Sequence, residues 1–199
     1  TDVSYGVGEF DLAGVFNGTS SSIEVPSGLR KDNNFTASIW FNTNSTTDGQ
    51  YPINFRNGKK FAVALNNSNV GNGSIRVNAG NNTNVDSATG IFTTNTWYNL
   101  VVVQSSVSGV IVYLNNSVVA SNSGATGDLV TVTGLDCIGS YDGTGSFFDG
   151  SIDQFRYFNK ALNSTEVETL WFESACAKGA CTGTTHTLNI LGGGDTSCI

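Results

Sequence analysis

Between residues 35 and 121 apolar and polar positions alternate in short runs separated by Gly, Asn, Ser and Thr. In "FTASIWFN" (35–42), Phe35, Ala37, Ile39 and Phe41 fall on one face and Trp40 on the other. The same alternation recurs in "FAVALN" (61–66), "SIRVNA" (74–79), "WYNLVVVQ" (97–104), "GVIVYLN" (109–115) and "SVVAS" (117–121). Successive side chains of a strand point to opposite faces, so these runs predict half-buried antiparallel strands. Asn115 and Asn116 tolerate the positive φ of a tight turn and predict a hairpin between the last two runs. Many short strands between such turns predict an all-β fold of two packed antiparallel sheets.

The stretch "GSFFDGSIDQFRYFNKALNSTEVETLW" (145–171) reads as a glycine turn, an alternating strand and one short helix. Asn163 is a natural N-cap, and Glu166 three residues later completes a capping box. Val167, Leu170 and Trp171 then form an apolar stripe to lay on a sheet, while Glu166, Glu168 and Glu173 form a solvated face. Residues 174–184, "SACAKGACTGT", read as a loop, and "THTLNIL" alternates as an extra tail strand: Thr185, His186, Thr187, Leu188, Asn189, Ile190 and Leu191. The expected organisation is one domain over residues 1–173 and a Cys/Gly-rich tail over 174–199, serving as a linker or an exchanged strand.

The chain has 199 residues, 24 of them Gly, and only 13% charged residues, against roughly 25% in an ordinary soluble domain. Its net charge is −7. No basic run is present to track phosphates, so neither nucleic acid nor an anionic membrane surface is expected as a partner, and without a transmembrane run no membrane insertion is expected. The chain begins Thr1-Asp2-Val3 with no signal peptide or transmembrane run, which suggests a processed protein or part of a longer one. Asn-x-Ser/Thr sequons begin at Asn17, Asn34, Asn44, Asn66, Asn72, Asn81, Asn115 and Asn163. Together with four cysteines and little charge they point to an extracellular glycoprotein. Cys176 and Cys181 bracket "CAKGAC", short enough for a local disulfide, which would leave Cys198 to pair with Cys137 or with another chain. A zinc site is the poorer reading, because no CxxC occurs and the single histidine, His186, stands at an unrelated spacing.

Five motifs, in order, resemble the laminin-G-like modules of the concanavalin A-like lectin/glucanase superfamily. They are "AGVFNGTSSSIEVP" (13–26), "NFTASIWF" (34–41), "WYNLVVVQ" (97–104), "GVIVYLNNSVVA" (109–120) and "FFDGSIDQFRYFNKALNSTEVETLW" (147–171). The resemblance implies a jelly-roll sandwich. Such modules usually begin with an additional strand and an Asp/Gly-rich turn that this sequence lacks. A missing first strand together with a surplus tail strand suggests that neighbouring copies, or tandem repeats, complete one another by strand addition.

The resemblance also raises three kinds of chemistry. Retaining glycosidases need two carboxylates about 5 Å apart, and the glucanase branch presents them as Glu-x-Asp-x-x-Glu. No such run exists among Glu9, Glu24, Glu166, Glu168 and Glu173, so no enzymatic activity is expected. Relatives often hold a structural calcium with the Asp of "GSID" and carbonyls of an "FNG" turn, which maps onto Asp153 and Asn17-Gly18; the plainer reading gives Asp153, Asp142 and Asp149 ordinary turn bonds. Sugar binding would use an aromatic platform, with Tyr51, Trp40 and Tyr141 as candidates. The sequence therefore favours a non-enzymatic extracellular structural module, a repeating subunit of a fibre, filament or virion appendage. The alternative is a carbohydrate-binding adhesion module.

Overall fold

In the computed structural model, residues 2–25 and 33–177 are described, with side chains as far as Phe172. The chain opens with an antiparallel pair, β1 (Ser4–Val7) and β2 (Leu12–Asn17). There follow β3 (Ile23–Glu24), β4 (Phe35–Thr43), β5 (Gln50–Phe55), β6 (Gly58–Lys59), β7 (Phe61–Leu65), β8 (Ile75–Ala79) and β9 (Thr83–Asp86). The second half supplies β10 (Tyr98–Ser105), β11 (Gly109–Leu114), β12 (Ser117–Asn122), β13 (Thr131–Val132), β14 (Asp136–Ile138), β15 (Asp149–Phe158) and α1 (Ser164–Ala177).

One antiparallel sheet runs β1-β2-β15-β4-β10-β11-β12, a second runs β3-β14-β5-β7-β8-β9, and β13 pairs with β6 as a small ribbon. The expected period-two alternation makes the core. Phe35, Ile39 and Phe41 of β4, with Leu100 and Val102 of β10, meet Ile53, Phe55, Phe61, Val63 and Leu65 of the other sheet. Phe35 and Phe61 pack edge to face at 4.8 Å across this interior, as aromatic quadrupoles prefer. This is the jelly-roll sandwich expected from the sequence, closed at the predicted hairpin by Asn115 (φ 49°) and Asn116 (φ 63°).

The beginning of the chain differs from expectation. Where the sequence suggested an absent strand, β1 lies along β2 from Ser4↔Val15 to Val7↔Leu12. Ser4, Tyr5 and Val7 are all exposed, so the segment carries no alternation to betray it. The edge of β2 that strand addition was to fill is already covered. The tail strand 185–191, with Cys181 and Cys198, lies outside the described residues. Helix α1 also continues through Ala177, so residues 174–177 are helical where a loop was expected.

The outer face of the seven-stranded sheet is closed by α1. Val167 is buried against Val101, Val103 and Tyr113. Trp40, pointing away from the core as its position in the alternation requires, stacks on Trp171 (5.5 Å, 17°) and meets Phe10 edge-on at 5.6 Å. The capping box forms in full: Glu166 N–H donates to Asn163 Oδ1 and Asn163 N–H to Glu166 Oε2, both at 2.9 Å. Lys160 also pairs with Glu166, and these two partners hold the Glu166 carboxyl below its ordinary value, Lys160 more strongly. A lowered folded-state pKa stabilises above the unfolded-state value, and that contribution disappears as pH falls through the lowered one. Asn163→Ala should cost about 1 kcal/mol, and Glu166→Gln should flatten the acid limb of stability against pH. Urea unfolding at a series of pH values measures both.

Candidate functional site

The outer face of the six-stranded sheet has no helix over it among the described residues. Its exposed positions follow from what the core takes. With Phe61, Val63 and Leu65 turned inward, β7 presents Ala62 and Ala64; with Ile75 and Val77 inward, β8 presents Arg76 and Asn78. By the same alternation β9 presents Asn84 and Asp86, and β5 presents Asn54. Tyr51, three residues before Asn54, would lie on the opposite face of a regular strand. The pairing of β5 with β7 shifts register between Gln50 and Ile53, and this irregularity turns Tyr51 onto the same face as Asn54. The two alanines leave low ground between larger neighbours. The result is a cleft of about 180 Å³ lined by Tyr51, Asn54, Ala62, Ala64, Arg76, Asn78 and Asn84 with Arg56, Lys60, Asn67 and Tyr141, while Asp86 stands outside the lining.

Tyr141 comes from the turn between β14 and β15. Gly139 opens that turn at φ 85°, and a Cβ there would fall 2.2 Å from the Phe16 ring, so only glycine fits. Tyr141 N–H donates to Gly145 O (2.8 Å) and Tyr51 N–H to Ser146 O (3.1 Å). Leu135 N–H donates to the Asp142 carboxylate. So anchored, Tyr141 stands edge-on to Tyr51, ring centroids 5.1 Å apart, and the Arg56 guanidinium lies 4.9 Å over the Tyr141 ring, a cation–π arrangement.

Several polar groups of the cleft are engaged with one another. Arg76 grips Asp86 with two bonds of 2.7 and 2.8 Å and donates to Asn67 Oδ1. Asn78 Nδ2 donates to Asn84 Oδ1 at 2.7 Å, and Lys60 Nζ to Asn82 Oδ1 at 3.1 Å. Asn54 is different. It is 0% exposed, and among the described residues neither its Oδ1 nor its Nδ2 has a partner; Asn78 Oδ1 and Arg56 Nε share that condition. Each buried polar atom left unpaired costs about 1–3 kcal/mol, so the cleft floor holds unused hydrogen-bonding capacity. Burial, and secondarily Arg56, pushes the Lys60 ammonium below its ordinary value. Burial and then Tyr141 push the Tyr51 phenol up, partly offset by Arg76 and Arg56.

Of the three aromatic candidates, Tyr51 and Tyr141 are thus brought together, and Trp40 is not. At 6% exposure and stacked on Trp171, Trp40 offers no sugar platform. The expected calcium ligands do not converge either. In the β15–β2 register Asn17 faces Asp149, while Asp153 lies beside Trp40 with its carboxylate accepting N–H bonds from Phe10 (2.8 Å) and Gln154 (2.7 Å). Asn17 Oδ1 accepts from the N–H groups of Thr19, Ser20 and Ser21. Asp153 thus stands four residues along β15 from the position that faces the Asn17-Gly18 turn, and its carboxylate is engaged by backbone N–H groups. Among the described residues no three His, Cys, Asp or Glu side chains are grouped to hold a metal.

Cys137 is buried in β14 opposite Asn54, and burial is the main cause that raises its thiol pKa. The side chains of Cys176, Cys181 and Cys198 lie outside the described residues. Of the sequons, Asn17, Asn34, Asn44, Asn72, Asn81 and Asn163 are exposed and Asn115 is half-buried at its hairpin. Asn66 is corrected: it is 2% exposed. Its Nδ2 donates to Ser45 O and Asp48 O, and its Oδ1 accepts from Gly73 N–H. Its amide is a structural strut with no room for a glycan. Asn54, Arg56, Lys60, Asn67, Arg76, Asn78 and Asn84 were not singled out by the sequence; their signal was the polar half of each alternation, which only sheet order assembles.

The fold has many solved counterparts. Domain 4 of AbnA, a GH43 extracellular arabinanase from Geobacillus stearothermophilus, in complex with arabinotriose, is 23% identical (TM-score 0.66, 85% of this chain and 81% of that one). The binding domain of botulinum neurotoxin serotype G is 15% identical (TM-score 0.65, 88% of this chain and 45% of that one). A candidate carbohydrate-binding protein from Bacteroides ovatus is 18% identical (TM-score 0.61, 78% and 45%). The chain thus spans less than half of the latter two. A search of curated proteins finds no match. At sequence level a laminin-G-type family model covers residues 17–168, from the β2 turn to the first turns of α1. On that match, the chain belongs to the concanavalin A-like lectin/glucanase superfamily.

Proposed function

We propose that this chain is a non-catalytic, extracellular carbohydrate-binding module whose ligand lies in the cleft between Tyr51 and Tyr141. The observation that carries this reading is Asn54, a fully buried amide with donor and acceptor both unpaired at the cleft floor. A sugar presents neighbouring hydroxyls, each able to donate and accept, to an amide of this kind. Its C–H surface suits the aromatic walls that Tyr51 and Tyr141 provide. Among the described residues none that lines the cleft is Asp or Glu, so they supply no carboxylate pair of the kind a glycosidase uses. The arabinotriose complex of the AbnA domain supports the same reading on a similar fold. The extracellular setting rests on that relative and on the exposed sequons. No helix among the described residues is long and apolar enough to cross a membrane.

The test is a glycan array followed by titration calorimetry on the hits. Tyr51→Ala and Tyr141→Ala should each weaken binding by about tenfold, the scale of one lost aromatic contact, with the thermal midpoint held near that of the parent. Absence of any glycan hit, or hits indifferent to both tyrosines, would sink the proposal.

A further inference from the structure

The cleft carries a charge opposite to that of the molecule. The whole chain has 16 Asp and Glu against nine Lys and Arg, yet three of those nine, Arg56, Lys60 and Arg76, line one cleft with no carboxylate among its described lining residues. Arg76 is neutralised by Asp86 through a two-bond grip. Arg56 and Lys60 are in no ion pair among the described residues: Lys60 reaches only the Asn82 amide, and Arg56 lies over Tyr141 with its buried Nε unpartnered. Two cations near each other and partly desolvated repel, and Lys60 shows it, its ammonium pushed below its ordinary value by burial and then by Arg56. The Asp142 carboxylate lies beside the Arg56 stem but accepts from Leu135 N–H and forms no ion pair with either cation among the described residues. A ligand that brings its own negative charge would offset them.

We infer that the ligand is an acidic saccharide, its anionic oxygens held by Arg56 and Lys60 while Asn54 takes the ring hydroxyls beside them. This rests on the carbohydrate-binding reading above and narrows it to one ligand class. A guanidinium offers a planar fork of N–H donors suited to a carboxylate or sulfate, and an ammonium adds a point charge. The shared chemistry is an anionic group on a sugar, either the carboxylate of a uronic or sialic acid or a sulfate ester. The chain's overall negative charge repels such ligands at long range, so recognition depends on these two cations at contact distance.

The experiment is calorimetry with matched pairs: a galacturonate tetrasaccharide and its carboxyl-reduced form, sialyllactose and lactose, a sulfated galactose disaccharide and its unsulfated parent. At least one acidic member should bind about tenfold or more tightly than its neutral partner, the scale of one charge-assisted bond, and the pair that does so identifies the anionic group. Arg56→Gln and Lys60→Gln should each remove most of that preference, and added salt should erode it. Arg156→Gln, which takes the same charge from β15 on the other sheet, should leave it intact. If neutral partners bind as tightly as acidic ones, while Tyr51→Ala still weakens both, the anionic inference is overturned and the carbohydrate reading stands. If no member of any pair binds and the array is also empty, both fall together.

Discussion

Replacing Trp40 with alanine is expected to lower the unfolding free energy by about 3–5 kcal/mol, the range for truncating a buried tryptophan. Trp40 is the hinge of the outer layer. Its ring stacks on Trp171 of α1 and receives the edge of Phe10 from the β1–β2 connection, so one side chain joins three separate segments. Its backbone sits between β10 and β15, opposite Asn99 and Asp153. Truncation would therefore loosen the helix and the first hairpin together, leaving a void that the rigid sheet cannot close. Trp40→Phe should recover much of the loss. Guanidinium unfolding followed by far-UV circular dichroism measures both variants. A loss below about 1 kcal/mol would mean that α1 adds little to the fold.

Asn54→Ala is expected to behave in the opposite sense, weakening glycan binding by about a hundredfold while leaving stability unchanged or slightly higher. The two effects share one cause. The folded protein buries an amide whose donor and acceptor are unpaired, and that debt weighs against folding. Alanine removes the debt, and the space it opens adjoins an existing cleft, so the cavity penalty is small. The bound ligand, however, loses a donor and an acceptor at once, about 1–1.5 kcal/mol each, and every 1.4 kcal/mol is a tenfold change in affinity. Calorimetric titration beside thermal unfolding reads both quantities. A variant that binds normally but unfolds early would show that Asn54 is a structural residue.

What the sequence revealed depended on how local the governing interactions were. The capping box was legible in full because Asn163 and Glu166 satisfy each other within one turn. The β4 face was legible because Phe35, Ala37, Ile39 and Phe41 obey a period of two whatever they pack against. Trp40 was correctly set on the far side of that strand, yet its role required knowing that Trp171 returns to meet it. Which acid faces Asn17 was not legible because register was unknown: it is Asp149, four residues before Asp153 along β15. Residues 4–7 were invisible because an edge strand exposed on both faces carries no pattern. The cleft lay furthest from reach. It needs β5, β7, β8 and β9 as neighbours, a turn from beyond β14, and an irregularity that swings Tyr51 to the face of Asn54.

The division of labour within β7, β8 and β9 has an evolutionary consequence. Phe61, Val63, Leu65, Ile75, Val77 and Val85 belong to the core, and the intervening positions 62, 64, 76, 78 and 84 belong to the cleft. Neighbouring letters of the same strand therefore answer to different selective demands. Drift at the even-numbered positions can exchange one ligand for another while the odd-numbered ones keep the sandwich folded. Enlarging Ala62 or Ala64 would raise the cleft floor and admit only slimmer or fewer sugar units. A library restricted to those positions would sample new specificities on an unchanged scaffold.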